Sequence, residues 1–355
     1  MVAFETLDWL QVRRVLLVRL RSIGDTVLMT ACLETLKSWR PDLEITVLSE
    51  PLAAPVLENH PLVDELLIVG RSISSRARLI KELRHRTFDI AFNMHGGTTA
   101  TILARLSGAK RTVGYGDYRL SWMLSDRAPS PGVILGRVRM HSVEQQLSLL
   151  HWSGAPWPDK PRLSLQTSRE ARSLISERLA RMEIDVAGYG FAVLAPTAAL
   201  ESKRWPTDRF AEVADHLSRR WNLPAIVIAG PGQERVAQEV SARSHSKSVV
   251  MTGISLKELM ALLDLVKIFI GNDSGPMHIA AALNRPVVVI FGSSDARVWH
   301  PWTDSSYRIV RAEEQENGPS YPIGRIPADD VIAAVDEILE STAPDSSLHI
   351  HHSLI

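Results

Sequence analysis

Of 355 residues only one, Cys32, is a cysteine. That excludes a disulfide framework, fits a reducing compartment and leaves no Cys/His metal spacing. Cys32 lies in an apolar helical stretch, where a lone thiol usually serves as a small core hydrophobe. Net charge is missing as well, with 40 Lys+Arg against 40 Asp+Glu. No long-range field therefore recruits nucleic acid, and anions can be held only by a local basic cleft. No run approaches the ~18 uninterrupted apolar residues of a spanning helix. The first 14 residues carry Glu5 and Asp8 and no long apolar run, unlike a secretory signal. A cytoplasmic protein is expected, one that would meet a membrane-lipid substrate only at the surface. Several motifs are absent too. Without G-x-G-x-x-G after a strand a nicotinamide dehydrogenase is disfavoured, and without G-x-x-x-x-G-K-[ST] so is an ordinary P-loop kinase. There is no G-x-S-x-G nucleophile elbow. No Asp-x-Asp occurs, so the usual carboxylate pair for a divalent ion on a nucleotide diphosphate is lacking, and no metal site is expected.

What is present is an ordinary globular composition, 45% hydrophobic and 23% charged, at a length that suggests two domains. Each half repeats one rhythm of apolar run, glycine-containing turn and helix-period stretch. In the first half, residues 15–20 read as a buried strand, Ser22-Ile23-Gly24 as a turn and 25–39 as a helix that Pro41 stops. Strands are expected at 44–48, 66–69 and 89–93, with helices at 79–85 and 98–106. The second half starts again with strands at 191–195, 225–229, 267–270 and 287–291. Helices are expected at 207–220, 234–242, 255–264 and 276–284, with a turn at 271–275 and a last helix at 328–340. Strands alternating with helices imply an α/β fold of two doubly wound, parallel-sheet, Rossmann-like domains facing a cleft. Pro156-Trp157-Pro158 marks the linker. The expected division is 1–158, 159–340 and a loosely ordered polar tail at 341–355.

Ligands of open α/β sheets bind beyond the carboxyl ends of strands, and several chemically capable segments fall there. Gly271-Asn-Asp-Ser-Gly-Pro-Met-His278 follows a strand and opens a helix. Gly275 lets backbone approach a ligand, Pro276 suits the first turn, and the free amides with the positive helix end make an anion site. The same segment also reads as a plainly capped helix, with Ser274 capping it or bonding a phosphate oxygen, and His278 as a packed histidine. Lys203 and Arg204, beside Trp205 and Pro206 before a helix, suit a diphosphate, as a point charge and a fork. Alternatively they form a solvated basic turn over a packed tryptophan. In Arg19-Leu-Arg21-Ser22-Ile-Gly-Asp25, Asp25 is either the cap of the next helix or a general base for a sugar hydroxyl. Arg19 and Arg21 would place opposite charge beside it or receive an anionic acceptor. His95, with Gly96 and Gly97 permitting close backbone approach, either touches the acceptor or packs.

In order along the chain, these pieces resemble the lipopolysaccharide heptosyltransferases. The matching stretches are Val-Leu-Leu-Val-Arg-Leu-Arg-Ser-Ile-Gly-Asp-Thr at 15–26, His60-Pro-Leu-Val-Asp64, Arg-Leu-Ser-Gly-Ala-Lys-Arg at 105–111 with Val113-Gly-Tyr115, Lys203-Arg-Trp-Pro206, and 271–282 running into Arg285-Pro286. The resemblance spans roughly residues 13–340 and implies the GT-B fold. It also implies an inverting transfer of heptose from ADP-heptose to a lipid-linked sugar of the lipopolysaccharide core, without a cofactor. By this resemblance Asp25 is the catalytic base and Lys203 binds phosphate. Asp273, Ser274, Gly275 and His278 form the donor loop, Glu234 holds the ribose, and Thr197 stands where many relatives have glycine. Together with Arg204 these make the expected donor site; Arg19, Arg21, Ser22, His95 and Gly96 make the expected acceptor site. A monomer is expected, peripheral at the inner membrane. The chain departs from many relatives in lacking cysteines at 313–327 and in its N-terminal extension, and the region 117–141 is where acceptor-facing sequence diverges most. Two other readings of the same scaffold are a nucleotide-sugar epimerase, which would convert the donor alone, and a non-catalytic binder of sugar nucleotides.

Overall fold

A strand covered on both faces must be apolar throughout rather than alternating. The run Val15–Val18 meets this requirement and is wholly buried at the centre of the first sheet. The computed structural model describes residues 7–186, 188–246, 248–312 and 323–342. The first sheet contains β1 (Arg14–Val18), β2 (Glu44–Ser49), β3 (Glu65–Ile68), β4 (Ile90–Asn93), β5 (Arg111–Tyr115) and β6 (Asp126–Ala128), in the order β3-β2-β1-β4-β5-β6. The second contains β7 (Ala192–Ala195), β8 (Ala225–Ile228), β9 (Val249–Met251), β10 (Ile268–Asn272), β11 (Val287–Phe291) and β12 (Tyr307–Arg311), in the order β12-β11-β10-β7-β8-β9. All neighbours are parallel. Counted from its own first strand, the second sheet repeats the 3-2-1-4-5-6 order of the first. That is the doubly wound arrangement the sequence predicts.

This order fixes where ligands can bind. The chain leaves β1 toward one edge and returns beside it as β4; likewise it leaves β7 and returns as β10. The strand order reverses between the members of each pair, so the loops after β1 and β4, and after β7 and β10, flank the crevice of their sheet. Asp25 and His95 lie after the first pair, Thr197 and Asp273 after the second.

The chain separates into two compact units. One comprises residues up to Ile175 with Ser255–Leu262 and Asp295–Thr303; the other comprises Ser176–Ile254, Leu263–Ser294 and the residues from Asp304 on. Residue 158, where the sequence suggests a division, lies within the first unit. The expected tail lies largely outside the described residues. Each unit has its own core: Leu16, Val18, Phe88 and Leu103 in the first, Trp205, Phe210, Ile270 and Ile338 in the second.

Several element bounds differ from expectation for local reasons. The first long helix runs Ile23–Trp39, two residues earlier than expected. Ser22 is its N-cap, and the Ser22 N–H donates to Asp25 Oδ2 at 3.4 Å. Asp25 is therefore the N3 member of a capping box, not the cap itself. The strand β10 runs through Asn272, so the turn expected to begin at 271 starts later. Four strands, β5, β6, β9 and β12, and the helices Ser142–Trp152 and Arg169–Arg181 had no counterpart in the pattern reading. Two of these strands are only three residues long, too short to show a period.

Candidate functional site

In the second unit the site is assembled by one buried side chain. Asn272 ends β10 with no exposure. Its Nδ2 donates to the Pro196 carbonyl at 2.8 Å, and its Oδ1 accepts from the Trp205 N–H at 3.1 Å. One amide thus joins the loop after β7 to the basic segment Lys203-Arg-Trp-Pro206. Trp205 anchors that segment from below. Its ring is buried against Phe210, with centroids 5.0 Å apart, and its Nε1 donates to the Ile326 carbonyl at 3.0 Å. Trp205 is therefore a core residue of its own unit.

Above this anchor, Lys203 Nζ donates to Asp273 Oδ2 at 2.7 Å, and the Ser294 hydroxyl donates to the same oxygen at 2.5 Å. The Asp273 side chain is 4% exposed and that of Lys203 24%. Asp273 is thus paired with Lys203, and its charge balances that of the lysine. His278, buried on the following helix Gly275–Ala282, lies with Nε2 at 3.9 Å from Asp273 Oδ1. Ser274 is the N-cap of that helix by position, with extended backbone, but its hydroxyl makes no capping bond. Ser274 Oγ is buried with no hydrogen-bond partner among the described residues. An unsatisfied hydroxyl at the positive end of a helix is suited to an anionic oxygen. Arg204 Nε donates to the Ala198 carbonyl at 2.9 Å, bracing the loop after β7. Thr197 is half-buried in that loop. Glu234 begins the helix Glu234–Arg243, accepts from the Gly232 N–H at 3.0 Å and is half-buried. Backbone N–H groups of Glu234 and Gly232 hold its carboxyl below the usual range.

In the first unit the site is a cavity of about 320 Å³ lined by Arg19, Asp25, Met94, His95, Tyr115, Asp117 and Tyr118 together with residues of the helix Ser142–Trp152 and Trp299. Asp25 is its only residue in a capping box. Arg19 Nη2 contacts Asp25 Oδ1 at 2.5 Å, and the Ser22 hydroxyl donates to Oδ2 at 3.0 Å. The Asp25 side chain keeps 25% exposure, so this carboxylate is both fixed and reachable. Arg19 is itself buried and also donates to the Met94 carbonyl. His95 Nδ1 lies 3.0 Å from the Arg21 carbonyl. Burial, first, and then the Arg19 charge push the His95 imidazole below its ordinary value, favouring the neutral ring. The Arg21 side chain is exposed and does not line the cavity. Gly96 has φ +79°, and a Cβ there would lie 2.7 Å from the Tyr118 ring, so the loop can approach the ring only as glycine.

The family model described as "Glycosyltransferase family 9 (heptosyltransferase)" matches residues 76–321. The chain belongs to this family. It is 31% identical to "Lipopolysaccharide heptosyltransferase 3" of Escherichia coli, over 93% of this chain and 100% of that one. Among solved structures, a family 9 glycosyltransferase from Veillonella parvula superposes with a TM-score of 0.85 at 24% identity, covering 96% of this chain and 100% of the other. The E. coli ADP-heptose lipopolysaccharide heptosyltransferase II gives 0.79 at 21% identity, over 93% and 100%. The architecture is GT-B, and the chain is a glycosyltransferase, as the sequence reading expected.

Within this glycosyltransferase the expected site residues fall into two groups. Lys203, Asp273, Ser274, Gly275 and His278 come together in one unit; Arg19, Asp25 and His95 line one cavity in the other. Ser22 and Gly96 shape that cavity's loops. The sequence placed Asn272 in the candidate anion segment but not its link to Pro196 and Trp205, and it did not single out Ser294, Asn93 at the end of β4, Asp117, Gln146, Tyr118 or Trp299. For the asparagines a signal existed: each is a lone polar residue closing an apolar strand just before a glycine-containing turn. For Gln146 and Trp299 the sequence carries none, because only the tertiary fold brings them to the cavity.

Proposed function

We propose that the enzyme transfers a heptose from ADP-heptose to a sugar of the lipopolysaccharide core, inverting the anomeric carbon. Family membership supports the reaction class, and the name of the E. coli relative supports the sugar and acceptor. The observation that carries the mechanism is Asp25: an arginine-paired carboxylate that remains partly exposed in a cavity large enough for a sugar ring.

In this reading an acceptor hydroxyl enters the cavity and Asp25 takes its proton as the oxygen attacks the anomeric carbon. Arg19 and Ser22 keep the carboxylate aimed, and neutral His95 and the Gly96 loop border the acceptor, with Arg21 at the approach. The bond from the anomeric carbon to the diphosphate breaks on the opposite face, so configuration inverts, and ADP leaves with the electron pair. Lys203, the Ser274 hydroxyl and the Gly275 amide stabilise that developing charge, with Arg204 and Thr197 completing the phosphate side. Glu234 holds the ribose, and His278 supports Asp273. No cofactor takes part. The acceptor is lipid-linked, and the enzyme works as a cytoplasmic monomer at the inner membrane surface. Among the described residues no helix is long and apolar enough to cross a membrane.

The test is incubation with ADP-heptose and a deacylated core oligosaccharide. The reading requires ADP release matched to heptosylated product of inverted configuration by NMR. Conversion of the donor sugar without acceptor would replace it with an epimerase, and ADP binding without turnover on any core would leave only a binder.

A further inference from the structure

The helix Ser142–Trp152 packs on the helix Ile23–Trp39 that carries Asp25, and it brings Gln146 to the wall of the Asp25 cavity. Gln146 is 7% exposed, and among the described residues neither its Nε2 nor its Oε1 has a hydrogen-bond partner. A buried primary amide has two donors and an acceptor to satisfy, and leaving them unmet is costly. Core packing would be served as well by leucine or methionine. An amide kept unpaired at a cavity wall therefore points to a ligand that completes it.

The other groups at the cavity define that ligand. Arg19 is already neutralised by Asp25, and Asp117 adds a second carboxylate, so the ionised side chains sum to one negative charge. Such a site disfavours a carboxylate or phosphate on the seated ring. Tyr118 and Trp299 supply aromatic surface for the ring's C–H face. We propose that Gln146 is a specificity-determining residue whose amide pairs with adjacent hydroxyls of an uncharged acceptor sugar while Asp25 receives the reacting hydroxyl. This rests on the transferase reading and names the acceptor class for the same site. One carboxamide presents N–H and C=O side by side, the complement of a vicinal diol that accepts at one oxygen and donates from the other.

The experiment compares wild type, Gln146→Leu and Gln146→Met using two deacylated core oligosaccharides. One ends in a neutral heptose; the other is the same molecule phosphorylated on that heptose. Kinetics and calorimetric titration of the oligosaccharide are both read. Loss of two neutral hydrogen bonds should raise the KM and Kd for the neutral acceptor about tenfold in both variants. The KM for ADP-heptose and the Kd for ADP should not move. Melting temperature should hold or rise, because an unpaired buried amide has been removed. Wild type should prefer the neutral over the phosphorylated acceptor by tenfold or more. Unchanged acceptor constants in both variants, a parallel rise in the donor constants, or equal use of the two acceptors would overturn the proposal. If wild type transfers no heptose at all, the transferase reading fails by itself, and the binding titrations still decide whether Gln146 holds the neutral sugar.

Discussion

The two units carry the same sheet twice and use it differently. In each, the fourth strand ends in a wholly buried asparagine beside the first strand of its sheet. In the first unit Asn93 stays within its own loop: Oδ1 accepts from the His95 and Gly96 N–H groups at 3.1 and 3.0 Å, and Nδ2 donates to Thr101 Oγ1 at 2.9 Å. In the second unit Asn272 reaches across to two other segments. The first arrangement shapes one loop around a cavity containing a reachable carboxylate. The second ties three segments into a rigid cationic seat at a helix start. One scaffold thus carries two different polar arrangements, with an asparagine at one topological position bonding different segments in each; the proposed function assigns proton transfer to the first and charge stabilisation to the second.

The sharpest way to break this comparison is to remove the proposed base. Asp25→Asn should lower transfer by roughly 10²–10⁴-fold, the usual worth of positioned base catalysis. Turnover near wild type would move the chemistry out of the first unit. Lys203→Ala comes next, expected to weaken ADP binding about ten- to a hundredfold through loss of a charge-assisted contact. It should also destabilise the protein, because Asp273 is left buried without its cation; a Tm equal to wild type would show the pair to be incidental. The asparagines are then compared directly. Asn272→Ala and Asn93→Ala should each cost about 1–3 kcal/mol by denaturant unfolding, from the backbone groups they leave unsatisfied. Asn272→Ala should weaken donor binding and Asn93→Ala acceptor use; the reverse pattern would dissolve the contrast.

The smallest effect is on pH. Burial lowers the proton affinity of His60 and His95, both in the first unit, below the ordinary histidine value. Above about pH 6.5 both forms of the chain hold these rings neutral and they add nothing. As pH falls through that value the unfolded chain takes up protons before the folded one, and stability is lost. His60→Gln should flatten the acid limb of Tm against pH, and an unaltered limb would assign the loss to other groups.

Much of this architecture was legible in the sequence because parallel strands buried on both faces leave continuous apolar runs, and β1, β4, β10 and β11 all do so. The placement of Asp25, Lys203 and Ser274 was legible because each lies where such a run gives way to a turn and a helix. The role of Asp273 was not, since a carboxylate beside a helix start reads alike whether it caps, binds or holds a lysine. Its pairing with Lys203, from a segment 70 residues away, appears only in the fold. Ser274 carried a similar ambiguity; among the described residues its buried hydroxyl has no partner and makes no capping bond, which supports the proposed anion contact. Gln146 gave no signal at all, because a glutamine within Ser142–Trp152 looks like any solvated helix residue until the helix is packed.

In the proposed function the two tasks are divided between the units, with the diphosphate held by Lys203 and the start of the helix Gly275–Ala282. Calorimetric titration of ADP into wild type, Asp25→Asn and Lys203→Ala tests it most directly. Asp25→Asn should bind ADP as wild type does, while Lys203→Ala should lose at least tenfold in affinity. An unchanged Kd in Lys203→Ala, or a matching loss in Asp25→Asn, would contradict it.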